Sequence, residues 1–209
     1  MDLSPSNTTP VRTKLRLEIH AAILDAAESV FSQEGLDAGR MEQVAQRAGV
    51  AVGTLYNHFR NREALLQTLL ATRRQELLRR VDDALVEAGP SFEEQLWVFV
   101  DTALEQTLAH RPLFSLLVQE DHAPIKARLL PPPGERTLDL LIVRARRIVS
   151  LGLKQGALRR RGQDLWPVLL VSSLRCVLVR ELSSPSGGMR HPPGRLVVDF
   201  FLRGAGEDA

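Results

Sequence analysis

Cysteine occurs once, at Cys176, and this scarcity excludes an intrachain disulfide and any metal site built from several cysteines. Aromatic residues make up only 5% of the chain and period-two runs are rare, which favours helices over sheets. Long apolar runs are also lacking. The longest, Leu165 to Val179, is broken by Pro167 and Arg175 and falls short of the roughly 20 residues that span a bilayer. The opening MDLSPSNTTP has no basic segment followed by an apolar one, so no signal peptide is read and a soluble cytoplasmic protein is expected. Neither sign of charge dominates: the net charge is +2, and residues 1–75 hold nine Lys/Arg against eight Asp/Glu. Bulk charge therefore does not argue for nucleic acid, and any such argument must rest on position. Only three of the 27 basic residues are lysine, at positions 14, 126 and 154, a bias that fits GC-rich coding and carries no function. No Ser/His/Asp set with nucleophile-elbow glycines, phosphate loop or catalytic carboxylate pair stands at usable spacing, so catalysis has no positive support. No second His or Cys stands at ligand spacing from His58, so no metal site is read, and no cofactor either.

What is present concentrates between Met41 and Leu65, MEQVAQRAGVAVGTLYNHFRNREAL. Met41, Val44, Ala45 and Ala48 mark one buried helical face. Gly49 ends that helix, since glycine enters the left-handed conformation without a Cβ penalty. A second short helix is expected from about Val52 to Phe59, with Leu55 and Phe59 facing inward and Thr54, Tyr56, Asn57 and His58 outward. Two short helices joined by a tight glycine turn, the second with hydrogen-bonding groups on its free face, is the plan of a helix-turn-helix that enters a DNA major groove.

The stretch AGV, then GTLYNHF, then REAL resembles the DNA-binding region of the tetracycline repressor (TetR) family of bacterial transcriptional regulators. The resemblance starts near Leu17 and is specific to about Leu70. It implies that Thr54, Tyr56 and His58 touch DNA, that Asn57 occupies a variable position that helps choose sequence, and that Arg62 matches a phosphate-binding lysine. The chain departs from the family at Arg40, Ala51 and Val52, where Thr, Ser and Lys are common. The usual cap of the recognition helix and one polar DNA contact are thereby missing. Arg40 could replace a phosphate contact, whereas Val52 cannot replace a hydrogen bond and suits a thymine methyl.

In chain order, residues 1–13 read as a flexible arm, with Arg12, Lys14 and Arg16 as groups that could reach DNA and a solvated tail as the plainer reading. Residues 14–60 form the expected three-helix DNA-binding domain, its first helix running from about Lys14 to Glu34. Residues 61–209 form an effector-binding and dimerisation domain. Its first helix, capped by Asn61 and continuing to about Ala88, would tie head to body as one rod. Further helices are expected at about Phe92–Ala109, Pro112–Glu120, Glu135–Gln155 with Arg144, Arg146 and Arg147 outward, Asp164–Leu182 and Gly194–Arg203. The whole is all-α, with about nine helices.

The helix after Asp164 is apolar nearly all round and needs cover that one small domain only half supplies. A second copy of the chain is the expected cover, with Val168, Val171, Ser172, Arg175, Cys176 and Val179 on a four-helix homodimer seam. Arg175 has an edge-exposed alternative, and Cys176 reads as an inert buried thiol before a redox switch. Trp97, His110, Phe114 and His122 are candidates for an effector pocket, though each alone reads equally as packing or surface.

The sequence thus points to a homodimeric, ligand-responsive repressor that binds a palindromic double-stranded DNA operator and responds to a small apolar effector, with no catalysis. A second reading is a ligand-binding or protein-interaction module whose helix-turn-helix no longer binds DNA specifically. A third, a regulator without effector, predicts a body core filled by side chains.

Overall fold

The computed structural model describes residues 8–36, 38–118, 129, 131–183 and 193–206. Among them are nine α-helices: α1 (Thr8–Glu34), α2 (Met41–Arg47), α3 (Val52–His58), α4 (Arg62–Glu87), α5 (Phe92–Ala109), α6 (Arg111–Val118), α7 (Thr137–Lys154), α8 (Trp166–Ser183) and α9 (Pro193–Ala205). Strand pairing among the described residues is confined to one isolated bridge, Leu158 to Gly206. The all-α expectation holds.

Helix α1 begins earlier than expected. Residues 8–13, read from sequence as part of an arm, are helical, and Pro10 lies in the first turn, where a missing N–H breaks no helical bond. The chain forms two compact units, residues 1–71 and 72–209, whose boundary falls inside α4 and past the expected division at 60/61.

The first unit is built on a short-range code. Ile23, Ala27 and Phe31 recur at helical spacing on α1 and are fully buried, as are Val44 and Ala45 on α2, Leu55 on α3, and Leu65 and Leu69 on α4. Gly35 (φ +92°) ends α1 and Gly49 (φ +69°) turns the chain between α2 and α3, both in the left-handed region that disfavours a side chain. Asn61 caps α4, its Oδ1 accepting the Ala64 N–H at 2.8 Å.

In the second unit α5 packs on α6, α7, α8 and α9, and α8 also packs on α6, α7 and α9. The core joins Phe92, Leu96, Phe99 and Val100 of α5 to Ile148 of α7, Leu170 and Leu174 of α8 and Phe201 of α9. Gly152 lets α7 approach closely, because a Cβ there would stand 2.8 Å from Phe92 and Leu158 carbons. Arg144 was expected to point outward with Arg146 and Arg147; instead its Nε donates to Asp82 Oδ1 at 2.8 Å and its Nη1 to the Leu140 carbonyl at 3.0 Å. Arg146 and Arg147 are exposed as expected.

Candidate nucleic-acid interface

Helix α3 is seven residues long and held from one side only. Leu55 and Phe59, one turn apart, are 0% and 3% exposed, which fixes the helix against the head and leaves its opposite face free. Val52, Gly53, Tyr56 and Asn57 occupy that exposed face. A Cβ built on Gly53 would meet nothing within 4 Å, so no packing inside the head requires glycine there. Ala51 stands at the N-cap without a side-chain acceptor, and the N–H groups of Thr54 and Leu55 turn to its carbonyl at 2.9 and 3.2 Å. The missing cap expected from sequence is therefore real.

Helix α2 opens at Arg40, whose N–H donates to Gln43 Oε1 at 2.9 Å. A guanidinium has no acceptor, so Arg40 cannot return the bond as Ser or Thr would, and it is exposed. Arg47 Nη1 donates to Gln33 Oε1 at 3.0 Å and braces α2 on the end of α1.

Three residues expected to face outward are less free. Thr54 is half-buried. His58 is half-buried beside His20 of α1, ring centroids 5.8 Å apart, and His20 in turn stacks on Phe59 at 4.8 Å. Burial, then the neighbouring His58 and then Arg16 hold the His20 pKa below its ordinary value. Arg62 is the largest departure. Its guanidinium lies over the Phe31 ring, 5.7 Å from the centroid, and Nε and Nη2 are buried without a hydrogen-bond partner. The group expected to hold phosphate is folded inward.

Sequence reasoning missed His20 and Arg60. Arg60 is an exposed cation between α3 and α4, and its signal was its place in the run HFRNR. His20 lies one turn before the buried Ile23, so it reads as core edge until α3 is docked beside it.

The body candidates separate. His110 caps α5 and meets Phe114 edge-on at 6.5 Å, both half-buried. Trp97 is exposed and thirteen residues earlier on α5, roughly 20 Å along the axis and about 220° around it from His110. It does not join that pair. His122 lies outside the described residues. On α8, Val168, Ser172, Arg175, Cys176 and Val179 are exposed, whereas Val171 is 2% exposed and packs in its own chain's core. Val171 therefore does not belong to an outward seam: α8 is divided lengthwise, with Leu170, Val171 and Leu174 inside and a stripe of Val168, Leu169, Ser172, Cys176 and Val179 outside. Leu196 and Phe200 of α9 are exposed as well, at 54% and 68%.

Residues 23–69, from the middle of α1 into α4, match the model of the family described as "Bacterial regulatory proteins, tetR family". The HTH-type transcriptional regulator YhgD of Bacillus subtilis is 26% identical over 82% of this chain and 85% of its own length. The head of the chain is thus of the tetR type, and the chain is similar to regulators of that family over most of its length. It is a helix-turn-helix transcriptional regulator. The similarity to the transcriptional repressor KstR of Mycolicibacterium smegmatis is 33% over 93 residues, 44% of this chain and 45% of that one. The transcriptional regulator FadR of Bacillus subtilis, solved in complex with stearoyl-CoA, superposes with a TM-score of 0.70 over 88% of this chain and 98% of its own, at 17% identity, a likeness of fold. No helix among the described residues is long and apolar enough to cross a membrane.

Proposed function

We propose that this protein is a cytoplasmic homodimeric repressor of the tetR type that reads a pseudo-palindromic operator with α3 and is released from it by a small apolar effector. The exposed face of α3 carries the reading. Val52, Tyr56 and Asn57 offer a methyl surface, a phenol and an amide beside the bare backbone of Gly53, and Leu55 and Phe59 hold them in place. A valine favours thymine methyl contact and an asparagine suits adenine, so base readout here leans on A·T pairs. Arg40 and Arg60 supply exposed cations for phosphate, and Thr54 and His58 lie at the rim of the same surface. Residues 14–60 serve as the reading head and residues 61–209 as the effector-binding and dimerisation body.

The dimer is supported by the outer stripe of α8 and by Leu196 and Phe200 of α9, helices that pack on one another. Two such pairs form a four-helix seam of standard size, about 1,600 Å² in total. A two-fold dimer then sets its recognition helices about 34 Å apart, one turn of B-DNA. An effector with an apolar part is supported by the stearoyl-CoA bound to the structural neighbour FadR, through its acyl chain and not its charged head. His110 and Phe114 are the pocket candidates that the fold brings together. Release requires that the effector bind the two head spacings with different affinity, since equal affinity shifts nothing. No catalytic step belongs to this function.

The test is selection of bound fragments from a randomised duplex library at physiological salt. Recovery of one palindromic motif, preferred over unrelated DNA by at least ~10³-fold, is the expected result. Recovery of no motif with or without long-chain acyl-CoA would replace this function by that of an interaction module.

A further inference from the structure

We propose that Arg12, Arg16 and His20 of α1 form a second DNA-contacting surface, a phosphate-tracking ridge that joins the recognition helix at His58 and grips duplex flanking the bases read by α3. The inference rests on the DNA-reading role given to α3 above. Its first support is the early start of α1 at Thr8, which places these three residues on one continuous helix at positions i, i+4 and i+8. At about 100° per residue they cover an arc of roughly 80°, on the same side as the buried Ile23 and therefore on the side turned to the head.

Along residues 12–28 of α1 the acidic side chains keep away from this arc. Glu18 and Asp25 fall on the opposite arc, and there Lys14 pairs with Glu18 at 4.0 Å. Arg12 and Arg16 are exposed, and no ion pair joins either of them to another described residue. The ridge is thus basic without compensation although the first 75 residues are nearly neutral.

Continuity with α3 is the second support. His20 stacks on Phe59 and lies 5.8 Å from the His58 ring, so the ridge and the recognition helix meet at a pair of imidazoles. Arg12 to His20 spans eight residues, about 12 Å. A B-DNA strand sets a phosphate every ~3.4 Å of axial rise and winds as it rises, so a ridge of this length can meet more than one consecutive phosphate. Burial first, then the neighbouring His58 of α3 and Arg16 of α1 itself, oppose protonation of His20 in the free protein. Phosphate oxygens reverse that balance, and DNA binding then takes up protons.

The experiment uses the full chain, a 40-base-pair duplex carrying the motif recovered by selection, and the same motif trimmed of its flanks. Replacing Arg12 and Arg16 together by Gln should flatten the slope of log K against log salt by about 0.9 per lost contact, roughly 3.6 per dimer, on the long duplex only. On the trimmed duplex wild type and variant should coincide. Lys14→Gln, on the opposite arc, should leave both slopes unchanged, and far-UV dichroism confirms that each variant is folded. His20→Gln should weaken the rise in affinity that the wild type shows between pH 8 and pH 6. An unchanged slope for the double variant on the long duplex would overturn the ridge alone. Salt-dependent binding that keeps the ridge effect but shows no preference for the motif would overturn the role of α3 alone. Equal loss in the double variant and in Lys14→Gln would reduce the ridge to general electrostatics and overturn it too.

Discussion

Arg62 offers the sharpest test of the head, because its guanidinium is buried over Phe31 with Nε and Nη2 unpaired. An unsatisfied buried donor costs about 1–3 kcal/mol, and taking ~1 for each nitrogen gives a penalty of about 2 kcal/mol. The cation–π contact returns about 1 kcal/mol in this partly desolvated setting. Arg62→Met keeps the stem that covers Phe31 and removes both donors, so the expected change is a gain of about 1 kcal/mol, or 2–4 °C in a chain of this size. Arg62→Ala also removes the cover and should gain nothing. Binding should move the other way. A group held at this cost is free to swing out to a phosphate, and its loss should flatten the salt slope by about 0.9 per subunit. The assays are calorimetric melting and a salt titration of duplex binding. A Met variant destabilised by more than 1 kcal/mol, with its salt slope intact, would refute both halves: the guanidinium would then be satisfied where it lies and would serve the fold.

Three further outcomes are expected. Gly39→Ala places a Cβ 2.5 Å from Phe31 Cδ1 and 2.9 Å from Cε1, so the fully buried ring must shift and urea melts should show a loss of about 1–3 kcal/mol; a loss below 0.5 would mean that the loop gives instead. Val168→Asp, on the outer stripe of α8, should turn dimer into monomer in sedimentation with helicity intact, whereas Val171→Asp at 2% exposure should unfold the body; a dimer that survives Val168→Asp sinks the seam. The folded chain holds the His20 pKa below 6.5, so the folded state binds fewer protons than the unfolded one and loses stability as pH falls below about 6.5. His20→Gln should shrink the drop in melting temperature between pH 7.5 and 5.5, and an equal drop in both proteins would assign the loss to other groups.

The parts of this molecule that sequence makes legible are those fixed within one or two helical turns. Helix α5 is bounded at Phe92 and Ala109 as its apolar spacing and the flanking Gly89-Pro90 require, and the turn at Gly49 needs only the left-handed conformation of one residue. Ala51 as an empty cap follows from one side chain and its position. The start of α1 was illegible for a local reason as well, since Pro10 reads as a breaker unless the helix is known to begin only two residues before it.

What sequence left open depends on contacts between elements. Arg144 finds Asp82 across 62 residues, and nothing around either residue names the other. On α8, apolar residues on nearly every side erase the periodicity that would tell inner from outer, so Val171 and Val168 look alike until α5, α7 and α9 cover one of them. Both kinds of relation meet on the exposed face of α3. Tyr56 and Asn57 are exposed because Leu55 and Phe59 are buried, a purely helical relation, and that much is legible. Whether His58 and Arg62 stand out to meet phosphate depends on His20 and Phe31, thirty-eight and thirty-one residues away, whose rings take up the space beside them. A motif therefore gives the reading face of such a head, while the poise of its cations is set by what α1 places behind them.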